Sequence, residues 1–295
     1  MSNLTEAPRE SKTPVQVRAR IVALSDRGAV RDANEDAYLV FRMGRYVECV
    51  SSNIPETELP PRFEEGGYVM IVADGLGGHE AGDVASRSAL LTTLQMITRA
   101  PKWALKLDDP TTREAEIDAL KKRARGYLAG VHAALRQQAA SDPALAGMGT
   151  TLTGAFSVGV DLFLQHVGDS KAFVLRDGAL RLVTHDHTVA QQYADLGLIP
   201  QEEVAGHRMH HVLTRAVGGP DEELEGDLHH LMIKNGDRLL LCSDGLTDMV
   251  ADDEIESILR ANPSSEDAAP ALIARALEAG GRDNVTVIVA DFSVG

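Results

Sequence analysis

The chain has 295 residues, long for one domain and short for two, and its 44% hydrophobic and 25% charged content builds a sizeable core and excludes wholesale disorder. Twenty-nine basic against 44 acidic residues leave a formal charge of −15, which repels phosphate backbones and anionic lipid heads, so neither nucleic acid nor membrane is an expected partner. No stretch reaches the roughly 20 apolar residues of a spanning helix, no signal-peptide core opens the chain, and Cys49 and Cys242 lack metal or redox spacing; a reducing, cytoplasmic location is expected.

Residues 1–14 are rich in Ser, Thr, Glu and Pro and read as a disordered leader, followed by a single domain over 15–295. Val15, Val17, Ala19, Ile21 and Ala23 alternate at period two and predict an opening strand. Residues 44–67, with Pro55, Pro60, Pro61, Gly66 and Gly67, read as a surface loop or hairpin insertion. Val84, Leu91, Leu94 and Ile97, and then Ile117, Leu120, Ala124, Tyr127, Val131 and Leu135, have helical spacing and predict two long amphipathic helices. Short apolar runs punctuated by Gly and Asp follow as far as residue 245 and predict strands with tight turns. Helices return at Ile255 to Leu259 and Leu272 to Leu277, and Val285 to Phe292 is suited to a buried last strand. This order departs from βαβ alternation and predicts an α+β sandwich without internal repeats.

Three apolar runs end at a small residue, an aspartate and another small residue: Tyr68 to Ala73 before Asp74-Gly75, Leu162 to Val167 before Gly168-Asp169-Ser170, and Leu239 to Cys242 before Ser243-Asp244-Gly245. Asn34-Glu35-Asp36 and Asp283-Asn284 stand just before two further apolar runs. An Asp-Gly pair after a strand is most often only a turn, but turn chemistry does not explain the recurrence. If these strand ends converge, the carboxylates repel one another unless they are protonated or neutralised by cations. Oxygen donors alone favour Mg²⁺ or Mn²⁺, and two such ions can clamp a phosphate and acidify water, which points to phosphoester hydrolysis.

Arg31-Asp32-Ala33-Asn34-Glu35-Asp36, Asp74-Gly75-Leu76-Gly77-Gly78-His79, Gly149-Thr150-Thr151, Val167-Gly168-Asp169-Ser170, Leu213-Thr214-Arg215, Ser243-Asp244-Gly245-Leu246 and Asp283-Asn284 resemble, in order, the motifs of the metal-dependent PPM (type 2C) protein serine/threonine phosphatases in their bacterial form. The resemblance implies a four-layer α-β-β-α sandwich with two central antiparallel sheets flanked by helices. It implies two to three divalent ions, Mn²⁺ or Mg²⁺, with Asp74 bridging two of them, Asp244 and Asp283 completing the first site, and Glu35 with the Gly75 carbonyl serving the second. Asp36 then acts through water, and Asp169 with Asp244 holds a third, weaker ion. Arg31 matches the phosphate anchor, a role that suits a guanidinium fork. Metal-bound hydroxide is then expected to attack phosphoserine or phosphothreonine directly, with no phosphoenzyme.

Two positions depart from the family's pattern: Leu76 stands where some members carry a histidine acid, leaving His79 or water as proton donor, and Lys171 replaces the usual arginine, a change expected to matter for packing or local charge. His185, His187, His207, His210, His211, His229 and His230 lack zinc spacing and read as solvated or locally hydrogen-bonded. The region matching 186–215 forms a flap in the family, and here it carries His207, Arg208, His210, His211 and Arg215 to meet an anionic phosphopeptide. Expected partners are phosphorylated proteins, substrates of a Ser/Thr kinase, acted on by a monomer. The alternatives are a catalytically silent phosphoprotein-binding regulator of the same fold and a small-molecule phosphomonoesterase.

Overall fold

The period-two logic of a strand decides how this molecule is layered. The computed structural model describes residues 17–47, 51–55, 63–77, 80–100, 107 and 109–295. The expected leader, Val15, Cys49 and His79 fall outside the described residues. In β3 (Phe63–Leu76), Val69, Ile71 and Ala73 face one cluster of buried side chains while Met70 and Val72 face another. In β10 (Arg238–Cys242), Leu239 and Leu241 join Met70 and Val72, while Leu240 and Cys242 point the other way. Strands covered on both faces read as continuous apolar runs, which is why these segments showed no alternation with polar residues.

Two antiparallel sheets result. One has the order β1-β11-β10-β7-β8, built from β1 (Val17–Asp26), β7 (Lys171–Arg176), β8 (Ala179–Leu182), β10 and β11 (Val285–Val294). The other has the order β2-β3-β5-β6-β9, from β2 (Asp36–Val47), β3, β5 (Leu152–Val158), β6 (Asp161–Val167) and β9 (Asp227–Met232), with the short β4 (Gly149–Thr150) paired to the end of β3. Helices α1 (Glu80–Thr98) and α2 (Arg113–Ser141) cover the second sheet, and α4 (Asp244–Thr247), α5 (Asp252–Ala261) and α6 (Ser265–Glu278) cover the first. The remaining helix, α3 (Val189–Asp195), lies in the region 186–215. The architecture is the expected four-layer sandwich of the α+β class.

The opening strand begins its described course at Val17, and the register of β2 and β3 runs from Asp36↔Asp74 to Val47↔Phe63, so the hairpin reading of 44–67 holds. One helical face differs from expectation. Leu91 is 59% exposed, and α1 instead buries Ala81, Ala85, Ala89 and Leu90. Small side chains at a spacing of four let the helix lie close on β3, a contact that a search for large apolar residues overlooks. No helix among the described residues is long and apolar enough to cross a membrane.

Candidate metal centre

Strand register assembles the acidic cluster. Asp36 at the start of β2 is the direct cross-strand partner of Asp74 near the end of β3, and such pairs share a face of the sheet. Asp169 follows β6, Asp244 follows β10 as the first residue of α4, and Asp283 precedes β11, so both sheets deliver carboxylates to one end of the sandwich. Hydrogen bonds sew the sheets together there. Ser243 Oγ donates to Asp36 Oδ2 (2.7 Å) and accepts from the Thr286 N–H (2.9 Å), while Asn284 Oδ1 accepts from the Glu35 N–H (2.8 Å). Asn284 Nδ2 also donates to the carbonyls of Arg27 and Ala33, fixing the loop that carries Arg31 and Glu35.

The charges do not sit at ease. Burial first, then the neighbouring aspartates, raises the Asp36 carboxyl to about 7 although its bond from Ser243 opposes the shift. Burial and Asp248 are the leading causes that push Asp244 up to about 6. Asp74 and Asp169 are driven well above the usual carboxylate range, again by burial before charge repulsion. Asp36 Oδ1 is buried without a hydrogen-bond partner among the described residues. A buried, unsatisfied carboxylate oxygen inside an all-aspartate cluster is a place for a cation, and its hard oxygen donors fit Mg²⁺ or Mn²⁺. As the side chains stand, no three His, Cys, Asp or Glu among the described residues close to cation-holding distance. A bound cation offsets the repulsion between carboxylates and favours their closer approach.

Glu35 and Gly75 come together through the backbone, the Gly75 N–H donating to the Glu35 carbonyl (3.2 Å). The Glu35 carboxylate lies against the first turn of α1, where a Cβ on Gly82 would sit 2.6 Å from Glu35 Oε2. Arg31 is exposed at the edge of the cluster, its Nη2 2.5 Å from Asp283 Oδ2. The structure therefore brings Glu35, Asp36, Asp74, Gly75, Asp169, Asp244 and Asp283 to one end of the fold, with Arg31 at its edge. Leu76, partly buried beside them, has no proton to give.

A layer of neutral polar side chains backs the aspartates, and sequence reasoning singled out little of it. Thr151 Oγ1 accepts from the Asp74 N–H (2.9 Å) and pairs with Ser170 Oγ (2.8 Å). His166, fully buried, meets Thr153 Oγ1 through Nδ1 (2.8 Å) and the His185 carbonyl through Nε2 (3.1 Å). A carbonyl only accepts, so Nε2 carries the proton and Thr153 donates to Nδ1. Burial, with His187 next, lowers the His166 pKa to about 3, and the ring is neutral. His166 lies inside an apolar run, and a lone histidine in a predicted strand was the available signal.

Other histidines of this region find separate partners, His185 with Asp195 (2.8 Å), His210 Nδ1 with the His207 carbonyl (2.8 Å) and His230 with Asp161 (2.6 Å), while His229 Nε2 is buried without a hydrogen-bond partner among the described residues. His187 is buried, against the solvated alternative. Lys171 is half-buried, its Nζ 2.7 Å from Asp186 Oδ2 and donating to the Asp169 carbonyl (3.3 Å). In the region 186–215, Arg208 and His211 are exposed, whereas Arg215 faces Asp227 (3.5 Å).

A paired-sheet sandwich with an acidic cluster at one end is the class of fold that the chain presents, and comparison with known proteins assigns it a family. The pattern of the family described as protein phosphatase 2C matches residues 62–278. The chain is 38% identical over 272 residues to serine/threonine protein phosphatase PstP of Mycobacterium tuberculosis, covering 92% of this chain and 45% of that protein. It is 34% identical over 269 residues to serine/threonine phosphatase stp of Listeria welshimeri, covering 90% of this chain and 93% of that protein. The solved catalytic domain of PstP in complex with two manganese ions is similar at a TM-score of 0.70 and 34% identity, over 94% of this chain and all (100%) of that one. The chain thus spans less than half the length of the mycobacterial relative and nearly all of the listerial one. It belongs to the protein phosphatase 2C family.

Proposed function

We propose that this chain is a metal-dependent protein phosphatase that hydrolyses phosphoserine and phosphothreonine in proteins, with its catalytic domain formed as one unit by residues 15–295. The observation that carries the reading is the convergence of Asp36, Asp74, Asp169 and Asp244, with their carboxyls held above the usual range by burial and by neighbouring carboxylates. The phosphatase names of its relatives, and the two manganese ions in one of their structures, support it.

In this reading Asp74, Asp244 and Asp283 hold one cation, Asp74, Glu35 and the Gly75 carbonyl hold a second, and Asp169 with Asp244 holds a weaker third. Asp36 takes part through water. When bound, the cations neutralise the cluster, draw in phosphate oxygens and acidify a water for attack on phosphorus. The chain's residues supply the rest. Thr151 and Ser243 fix Asp74 and Asp36 at their strand ends. Arg31 turns its guanidinium from Asp283 to two phosphate oxygens once that carboxylate is occupied, a bidentate grip that fixes the ester for in-line attack. The leaving oxygen takes its proton from water or from His79, since Leu76 offers none. The net charge of −15 and the lack of closely spaced cysteines support a cytoplasmic monomer, and the relatives' serine/threonine phosphatase names support targets of a Ser/Thr kinase.

The test is phosphate release from a phosphothreonine peptide with Mn²⁺, with Mg²⁺ and with chelator, for wild type and Asp244→Ala. Cation-dependent release that falls at least ~100-fold in the variant is expected, because even outer-shell partners of a metal site are worth 10- to 100-fold. A folded wild type that releases nothing with either cation overturns the reading in favour of a silent phosphoprotein-binding module or a small-molecule esterase.

A further inference from the structure

The turn that presents Asp169 is gripped from two sides. On one side Gly168, at φ +108°, packs so tightly that a Cβ would sit 2.5 Å from Thr151 Cγ2, and Thr151 in turn bonds the Asp74 N–H and Ser170. On the other side stands His187. Its N–H donates to the Gly168 carbonyl (2.7 Å), and the Gly168 N–H donates back to His187 Nδ1 (3.2 Å), closing a two-bond clamp on one glycine.

The tautomer follows from this clamp. A backbone N–H can only donate, so Nδ1 is bare and the proton sits on Nε2. Nε2 faces Asp227 Oδ2 (3.4 Å) and also lies 3.1 Å from Arg215 Nη1. Two donors do not bond each other, so both aim at the Asp227 carboxylate, whose Oδ1 is 3.5 Å from Arg215 Nη1. Asp227 is placed by backbone register, as the β9 partner of His166 in β6, and the His166 ring packs 5.0 Å from that of His187. Burial, as the first cause, lowers the His187 pKa, in keeping with a neutral ring. The Thr214 N–H donates to the His187 carbonyl (2.8 Å), so both ends of the segment 186–215 meet at this residue.

We propose that His187, oriented by Asp227 and Arg215, is a positioning residue that holds the Gly168–Asp169 turn so that the Asp169 carboxylate faces Asp74 and Asp244, and that it thereby sets the affinity of the weakest-held cation. The proposal rests on the reading of Asp169 as a ligand given above. His187 touches no reacting atom. It acts through Gly168, and because it also anchors both ends of the segment 186–215, a displacement of that segment reaches Asp169 by the same two bonds.

The experiment uses the full chain and three readouts: ¹⁵N-resolved NMR of the His187 ring in metal-free protein, calorimetric titration with Mn²⁺, and phosphopeptide kinetics. Wild type should show the Nε2–H tautomer. His187→Leu should weaken the last Mn²⁺ equivalent about 10-fold and lower kcat by a similar factor with little change in KM, the scale seen when an outer-shell partner is lost. His187→Asn, whose amide oxygen reaches the place of Nδ1, should recover most of both. Asp227→Ala keeps Nδ1 but removes the acceptor for Nε2–H, and should mix the tautomers and weaken the same equivalent by less. An Nδ1–H tautomer in wild type, an unchanged last equivalent in His187→Leu, or His187→Asn as poor as His187→Leu would each overturn the proposal. Should His187→Leu fail to fold, Asp227→Ala decides, an unchanged last equivalent overturning it. A wild type that binds no Mn²⁺ sinks the phosphatase reading instead, while the tautomer, read without metal, still tests the clamp.

Discussion

Replacing Asp36 by Asn removes one ionisable group from the acidic cluster at nearly constant volume. In the folded chain this carboxyl is raised from 3.8 to about 7, chiefly by burial. A group whose folded pKa lies above its unfolded value binds more protons in the native state, so the metal-free protein loses stability as pH rises, throughout the window from about 4 to about 7. At 1.36 kcal/mol per unit, with the slope falling off as the folded carboxyl begins to ionise near pH 7, a rise from pH 5 to pH 7 costs about 2 kcal/mol, or about 4 °C in Tm for a chain of this size. Asp244, Asp74 and Asp169 shift in the same direction, and the charge of Asp36 is itself a cause of the Asp74 shift, so the variant relieves Asp74 as well and the difference reports Asp36 together with its effect on that neighbour. Thermal unfolding followed by circular dichroism in chelator at the two pH values should show wild type losing about 4 °C more than Asp36→Asn. Saturating Mn²⁺ should remove most of that difference, because a cation does the work of the proton. Parallel curves, or a wild type that gains on the variant as pH rises, would refute the argument.

Two further substitutions separate function from stability. Gly82→Ala in α1 would ordinarily gain about 1 kcal/mol of helix propensity, but its Cβ would sit 2.6 Å from Glu35 Oε2. Calorimetry should find one Mn²⁺ equivalent weakened about 10-fold with little net change in Tm, and unchanged Mn²⁺ binding would show that the Glu35 carboxylate has room to move. Arg238→Ala strips a buried guanidinium from Asp291 and from the carbonyls of Leu259, Asn262 and Pro263, which close the turn between α5 and α6. Chemical denaturation should show a loss of about 3–5 kcal/mol, with phosphatase activity intact in the fraction that remains folded.

The acidic centre was legible because it is written locally. An apolar run ending at Asp-Gly or Asp-Ser announces both the strand and the carboxylate at its tip, and the run is visible wherever the strand is buried on both faces, as at Leu239 to Cys242. What stayed hidden depends on long-range pairing. The burial of His187 follows from its contacts with Gly168 and with Asp227, and Asp227 is there only because β9 pairs with β6 in one register. Nothing near position 187 in the chain distinguishes it from exposed His211. The buried stripe of α1 was missed for another reason: Ala81, Ala85 and Ala89 carry close packing without the bulk by which hydrophobic periodicity is recognised.

Position and repulsion are two sides of one arrangement here. Asp36 and Asp74 lie in paired strands of one sheet, Asp169 in the turn that leads from it to the other, Asp244 and Asp283 beside strands of that other sheet, and Ser243 with Asn284 ties the sheets at the point where these carboxylates meet. The apolar layer of Met70, Leu164, Leu241 and Ile288 between the sheets therefore drives together groups that repel one another. Folding builds the cluster at a cost, and that cost is what a cation relieves. A cation that binds only the packed state stabilises the packing by RT ln(1 + [L]/Kd), so affinity for metal and cohesion of the two sheets rise or fall together. The unpartnered Asp36 Oδ1 is the local mark of that coupling: a defect in a hydrogen-bond account of the fold, and a reason for the fold to take up a metal.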